Sequence, residues 1–179
     1  MTSILLIGPP GSGKTSVADA FAERGYSTAD LDRAIELVTG HDVADIATIQ
    51  GEDALRQIER EVLTVLLTDV DAEPRVLAVS SGALGRDPED AEFADLRTRI
   101  NQLRASGAVK VVYLTTDLGK LVTRVGLMGQ ANNSLGLPRK AFREFLGQRA
   151  PLYESLADVT VDTSAAQPSD VVDLIIAQD

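Results

Sequence analysis

The residues of this chain best equipped for chemistry stand near its start, in Gly8-Pro9-Pro10-Gly11-Ser12-Gly13-Lys14-Thr15. A glycine-rich turn that opens a helix aims its backbone N–H groups at an anion, and the helix dipole adds partial positive charge. In a loop of this G-x-x-x-x-G-K-[ST] kind, Gly8, Gly11, Ser12, Gly13 and Ser16 are expected to line bound phosphates. Lys14 would meet the β- and γ-phosphates, and Thr15 would offer a hydroxyl to Mg²⁺. The motif needs a strand before it and a helix after it. Both patterns are present: Ser3 to Ile7 is a short apolar run, and Ser16 to Arg24 places Val17, Ala20 and Phe21 on one side of a helix.

A phosphate loop implies a nucleoside triphosphate but not a reaction. No Asn-Lys-x-Asp guanine signature occurs, which disfavours a GTPase. Asp30 and Asp32 lie two residues apart at the end of the second expected strand, a spacing that points both carboxylates to one side. One could hold Mg²⁺ while the other takes a proton from a substrate hydroxyl. Alternatively, either could simply cap the helix that follows. In Glu52-Asp53-Ala54-Leu55-Arg56-Gln57-Ile58-Glu59, the guanidinium of Arg56 has acids at helical spacing on both sides. That pattern serves an ordinary surface ion pair or an arginine oriented by Glu59 to grip an anion. Arg149 carries the same two readings.

The elements that must position these groups alternate along the chain. Strands are expected at 3–7, 26–29, 76–80, 109–115 and 159–162, and helices at 14–24, 32–38, 42–48, 52–68, 89–105, 117–126, 139–149 and 169–177. Short, continuously apolar strands between helices predict an α/β fold, a parallel sheet covered on both faces. The segment 127–138, rich in Gly and Asn and without either period, reads as a small mobile lid.

At 179 residues, 44% of them hydrophobic, the chain fits a single domain spanning 1–179 with a real core. A net charge of −10 disfavours nucleic acid as a partner. The absence of cysteine excludes disulfides and thiol chemistry, and the only histidine, His41, cannot build a histidine metal site. The five-residue apolar run at the N-terminus is neither signal peptide nor membrane span, so no membrane partner and a cytoplasmic location are expected.

Taken together, these residues resemble the shikimate kinase family nearly end to end. The resemblance runs from Gly8–Thr15 through Asp30 and Asp32, Gly51-Glu52 with Leu55-Arg56 and Glu59, to Arg149-Ala150-Pro151-Leu152-Tyr153 and Val161-Asp162-Thr163. It implies a P-loop three-layer sandwich with a five-stranded parallel sheet, ATP and Mg²⁺ at the loop, and γ-phosphoryl transfer to a ring hydroxyl of a small carboxylated substrate, shikimate above all. It further implies that Asp32 holds and deprotonates the hydroxyl, that Asp30 and Thr15 sit by Mg²⁺, and that Arg56 and Arg149 clamp the carboxylate. Ser81 and Gly82 would border the substrate, and the chain would act as a monomer or weak homodimer. Two departures stand out. Ser80-Ser81-Gly82 replaces a run of three glycines, and no arginine occurs from 125 to 138, where the family's lid carries one. Arg124 and Arg139, at the borders of that segment, are the candidates to supply the missing cation.

Overall fold

The computed structural model describes residues 2–125 and 139–178, with Arg139 described by its backbone alone. In chain order, β1 (Ser3–Ile7) leads through the glycine loop into α1 (Lys14–Glu23), and β2 (Thr28–Asp30) passes directly into α2 (Leu31–Thr39). Then follow α3 (Val43–Ile49), α4 (Glu52–Leu66), β3 (Val76–Ala78), a 3₁₀ turn at Ala91–Phe93, and α5 (Ala94–Ala105). The chain closes with β4 (Val109–Thr115), α6 (Leu118–Arg124), α7 (Arg139–Leu156), β5 (Val159–Asp162) and α8 (Pro168–Ile176).

All strand pairs are parallel, in the order β2-β3-β1-β4-β5. Every residue of β1 is buried. Leu5 and Ile7 enter an apolar cluster with Leu31, Ile35, Leu63, Leu96 and Leu152, while Ile4 and Leu6 enter another with Val17, Phe21, Val172 and Ile175. Side chains alternate across a strand, so a strand apolar throughout must be covered on both faces. The three-layer α/β architecture follows. Because β1 lies between β3 and β4, the chain reverses its direction of travel across the sheet there, and the crevice at the carboxyl ends of these strands opens beside Gly8.

Two expected elements differ in the structure. The helix expected at 139–149 continues to Leu156 through Pro151. Proline removes one backbone donor, but Leu152, Tyr153 and Leu156 just beyond it are buried in the larger cluster, and that burial outweighs the lost bond. The helix expected at 89–105 instead begins as the 3₁₀ turn, because Asp90 caps Glu92 N at 3.2 Å and diverts the first turn. The lid expected at 127–138 lies outside the described residues.

Candidate active site

Gly8, Gly11 and Gly13 adopt φ of +146°, +79° and +93°, values that side chains other than glycine rarely accept. A Cβ on Gly8 would stand 2.4 Å from the Leu114 carbonyl oxygen, whereas one on Gly13 would meet nothing within 4 Å. The loop is therefore pressed against β4 on one side and open on its concave side. Gly8→Ala is expected to cost about 2–5 kcal/mol, combining strained backbone with overpacking, measurable as a lower urea midpoint. From behind, Thr163 Oγ1 donates to the Ser12 carbonyl at 2.9 Å and lies 2.5 Å from Thr116 Oγ1. Ser12 is buried and its hydroxyl has no hydrogen-bond partner.

Lys14 curls over its own loop, donating to the carbonyls of Gly8 at 2.9 Å and Pro9 at 3.0 Å. Burial pulls its ammonium down to about 8, against the opposing attraction of Asp32 and Asp30. Ser16 is exposed on the first turn of α1, and Thr15 Oγ1 donates to Asp30 Oδ2 at 2.6 Å. Asp30 is the cap of α2, its Oδ1 accepting from the N–H groups of Asp32 and Arg33 at 3.0 and 3.2 Å, while its Oδ2 faces Thr15. Hydroxyl and carboxylate oxygens converging beside a phosphate loop are the hard ligands that suit Mg²⁺.

Asp32 projects from the first turn of α2 into the cleft, where its Oδ1 accepts a short hydrogen bond from Ser80 Oγ. Crowding by surrounding protein raises the Asp32 pKa above the ordinary carboxylate value; the Ser80 hydrogen bond opposes that rise. Ser80 escaped the sequence reading as a site residue, although it was visible as a departure from glycine. Its neighbours are also pinned: Tyr153 Oη donates to the Ser81 carbonyl at 2.8 Å, and a Cβ on Gly82 would stand 3.0 Å from Glu59 Oε2.

Arg56 departs from its expected arrangement. It is not hydrogen-bonded to Glu59; its Nη2 donates to Asp90 Oδ2 at 2.8 Å and to Glu92 Oε2 at 2.9 Å, and its Nε to Glu92 Oε2 at 3.2 Å. The guanidinium also lies 4.7 Å from the Phe93 ring centre. The loop before α5 thus brings its acids closer than a residue on the same face of α4. Asp90 and Glu92 were missed because they fall in the first turn of the helix expected at 89–105.

Arg149 stacks over Phe145 at 3.8 Å, and its buried Nε has no hydrogen-bond partner among the described residues. Burial lowers its pKa, and the nearby positive charge of Arg56 adds to the effect. A guanidinium whose charge is disfavoured by the Arg56 nearby, and whose buried donor is unsatisfied, makes a place for an anion. Glu59 stands beside them, its carboxyl pushed up to about 8 by burial and by Asp32, against the pull of Arg56 and Arg149.

On the other side of the loop, Gly11, Ser16, Arg124, Thr163, Gln167 and Pro168 line a cavity of about 420 Å³. Arg124 Nη1 donates to the Gly11 carbonyl at 3.0 Å. Of the two cation candidates, Arg124 is therefore against the loop, whereas the Arg139 side chain lies outside the described residues.

A phosphate cradle with a base-sized cavity on one side, and a carboxylate beside an anion pocket on the other, defines a P-loop kinase of small molecules. The chain belongs to the shikimate kinase family, whose model matches residues 10–179. It is thus a phosphotransferase acting on a hydroxyl group, and it uses ATP. A shikimate kinase of Thermobifida fusca is 38% identical over 172 residues, 96% of this chain and 91% of the relative. One from Streptomyces coelicolor is 33% identical over 94% of this chain and 90% of its own. The fold matches a shikimate kinase from Acinetobacter baumannii solved with shikimate, with a TM-score of 0.80 and 28% identity over 99% of this chain and 92% of that one.

Proposed function

We propose that the chain phosphorylates a ring hydroxyl of shikimate, and the observation that carries this reading is the convergence of Asp32, Arg56 and Arg149 at one side of the phosphate loop. ATP, bound with Mg²⁺, supplies the γ-phosphoryl group and a counter-charge for its oxygens. The glycine loop presents backbone N–H groups to the phosphates beside the unobstructed Gly13, and Arg124 and Gln167 border the nucleotide's cavity. Lys14 leaves the Gly8 and Pro9 carbonyls to hold phosphate oxygens, regaining a full positive charge beside an anion. Thr15 and Asp30, whose oxygens meet at 2.6 Å, would hold the cation.

Arg149 and Arg56 fix the acceptor's carboxylate, which turns a hydroxyl across the ring toward Asp32. Ser80 occupies Asp32 Oδ1, leaving Oδ2 to take the hydroxyl proton as the oxygen attacks phosphorus. Ser81 and Gly82 form the wall beside the acceptor, held by Tyr153 and by Glu59.

An ADP-release assay with shikimate, gluconate and nucleoside monophosphates as acceptors tests the reading; turnover with shikimate alone is expected, and preferential turnover with either other class overturns it. The carboxylate clamp has its own test. Arg149→Lys is expected to raise the shikimate KM by about tenfold or more, because a point cation cannot reproduce a planar fork, while the ATP KM stays within about twofold. Equal movement of both constants would indicate general damage.

A further inference from the structure

Arg56 has five N–H groups, and three of them already have carboxylate partners. Both hydrogens of Nη2 are taken, by Asp90 at 2.8 Å and Glu92 at 2.9 Å, and the Nε hydrogen points to the same Glu92 oxygen at 3.2 Å. The Nε–Nη2 edge, the two-pronged face that matches a carboxylate, is thus occupied from within the chain. An incoming acid is left with Nη1 alone unless one of the two internal carboxylates withdraws.

They are not equally able to do so. Asp90 is nearly buried and also accepts from the backbone N–H of Arg86 at 2.9 Å and of Glu92 at 3.2 Å. Its loop is tied down by Arg97, which donates to the carbonyls of Leu84, Pro88 and Asp90. Glu92 differs: its side chain is 44% exposed, and its carboxylate has Arg56 as its hydrogen-bond partner. Releasing it to water strands no buried charge, since Arg56 keeps Asp90.

We propose that Glu92 sets this enzyme's affinity and selectivity for its acceptor by competing with the acceptor's carboxylate for the Nε–Nη2 edge of Arg56. Bound acid and Glu92 exclude each other there, by occupancy and by like charge. The cleft accordingly binds a carboxylated acceptor more weakly than its two arginines would allow, whereas an uncharged analogue, which takes only an ordinary hydrogen bond from Arg56 and is not repelled by Glu92, is affected far less. The inference rests on the acceptor reading above only in naming shikimate as the acid.

The test is Glu92→Gln, which keeps shape and hydrogen-bonding atoms but removes the charge, with circular dichroism melting to confirm the fold. Affinities of parent and variant for shikimate and for its uncharged carboxamide are read by isothermal titration, and KM by ADP release. Shikimate is expected to bind about threefold to tenfold more tightly to the variant, with the carboxamide and ATP within about twofold. Unchanged or weaker shikimate binding would show instead that Glu92 orients Arg56 productively, and an equal gain for the carboxamide would show a general loosening of the cleft; either result overturns the proposal. Benzoate, a ring acid with no hydroxyl to phosphorylate, is titrated alongside. If the parent fails to turn over shikimate, the acceptor reading falls, yet tighter benzoate binding to the variant still sustains the competition at Arg56 and unchanged benzoate binding still refutes it.

Discussion

Lys14→Ala is expected to lower phosphoryl transfer by about 10³-fold or more, with a melting temperature close to the parent's. Among the described residues, the lysine head group donates to the Gly8 and Pro9 carbonyls and to no other group. Burial already disfavours its charge, holding the pKa near 8, so the folded chain gains little from it. Its use is to meet charge that develops on the transferring group. Turnover close to the parent's in a folded variant would rule out the phosphate loop as the site of reaction.

Asp32→Asn should lower kcat by about 10²–10⁴-fold while leaving the ATP KM within about threefold. The amide retains the position and the contact with Ser80 but cannot take a proton. The parent's kcat should fall as pH drops through the Asp32 pKa, which crowding sets above the ordinary carboxylate value. The variant should lose that acidic limb, because the group that titrates there is absent. A loss of less than about tenfold, or an unchanged limb, would assign the proton to another acceptor.

How much of this was legible in the sequence depends on the range over which each signal acts. The loop and the strands of the parallel sheet follow from local pattern, because a glycine turn between an apolar strand and a helix has few alternatives, whereas the assignment of Asp30 to Thr15's side came from the family resemblance. The choice between cap and metal partner for Asp30 could not be made from spacing, because the two do not exclude each other: Oδ1 takes the cap, and Oδ2 lies against Thr15. The partners of Arg56 were out of reach for a different reason. Glu59 is three residues away along α4, but Asp90 and Glu92 arrive from more than thirty residues downstream through a loop shaped by Arg97, and helical spacing carries no information about them. Ser80 was noticed only as a missing glycine; its hydrogen bond depends on how β3 is registered beside β2.

The long helix α7 answers to two masters. Phe142, toward its start, packs with Leu121, Val122 and Val125 around α6, whereas Leu152, Tyr153 and Leu156 are rooted in the main core. Between the two halves stands Pro151, which cannot donate to the carbonyl of Gly147 one turn earlier, and Gly147 has no side chain to stiffen the join. The helix is thus a lever with a soft fulcrum, and Arg149 rides within that fulcrum. Its outer arm packs with α6, whose Arg124 touches Gly11, and its inner arm with the main core, so the place of Arg149 answers to the phosphate loop at one end and to the sheet at the other.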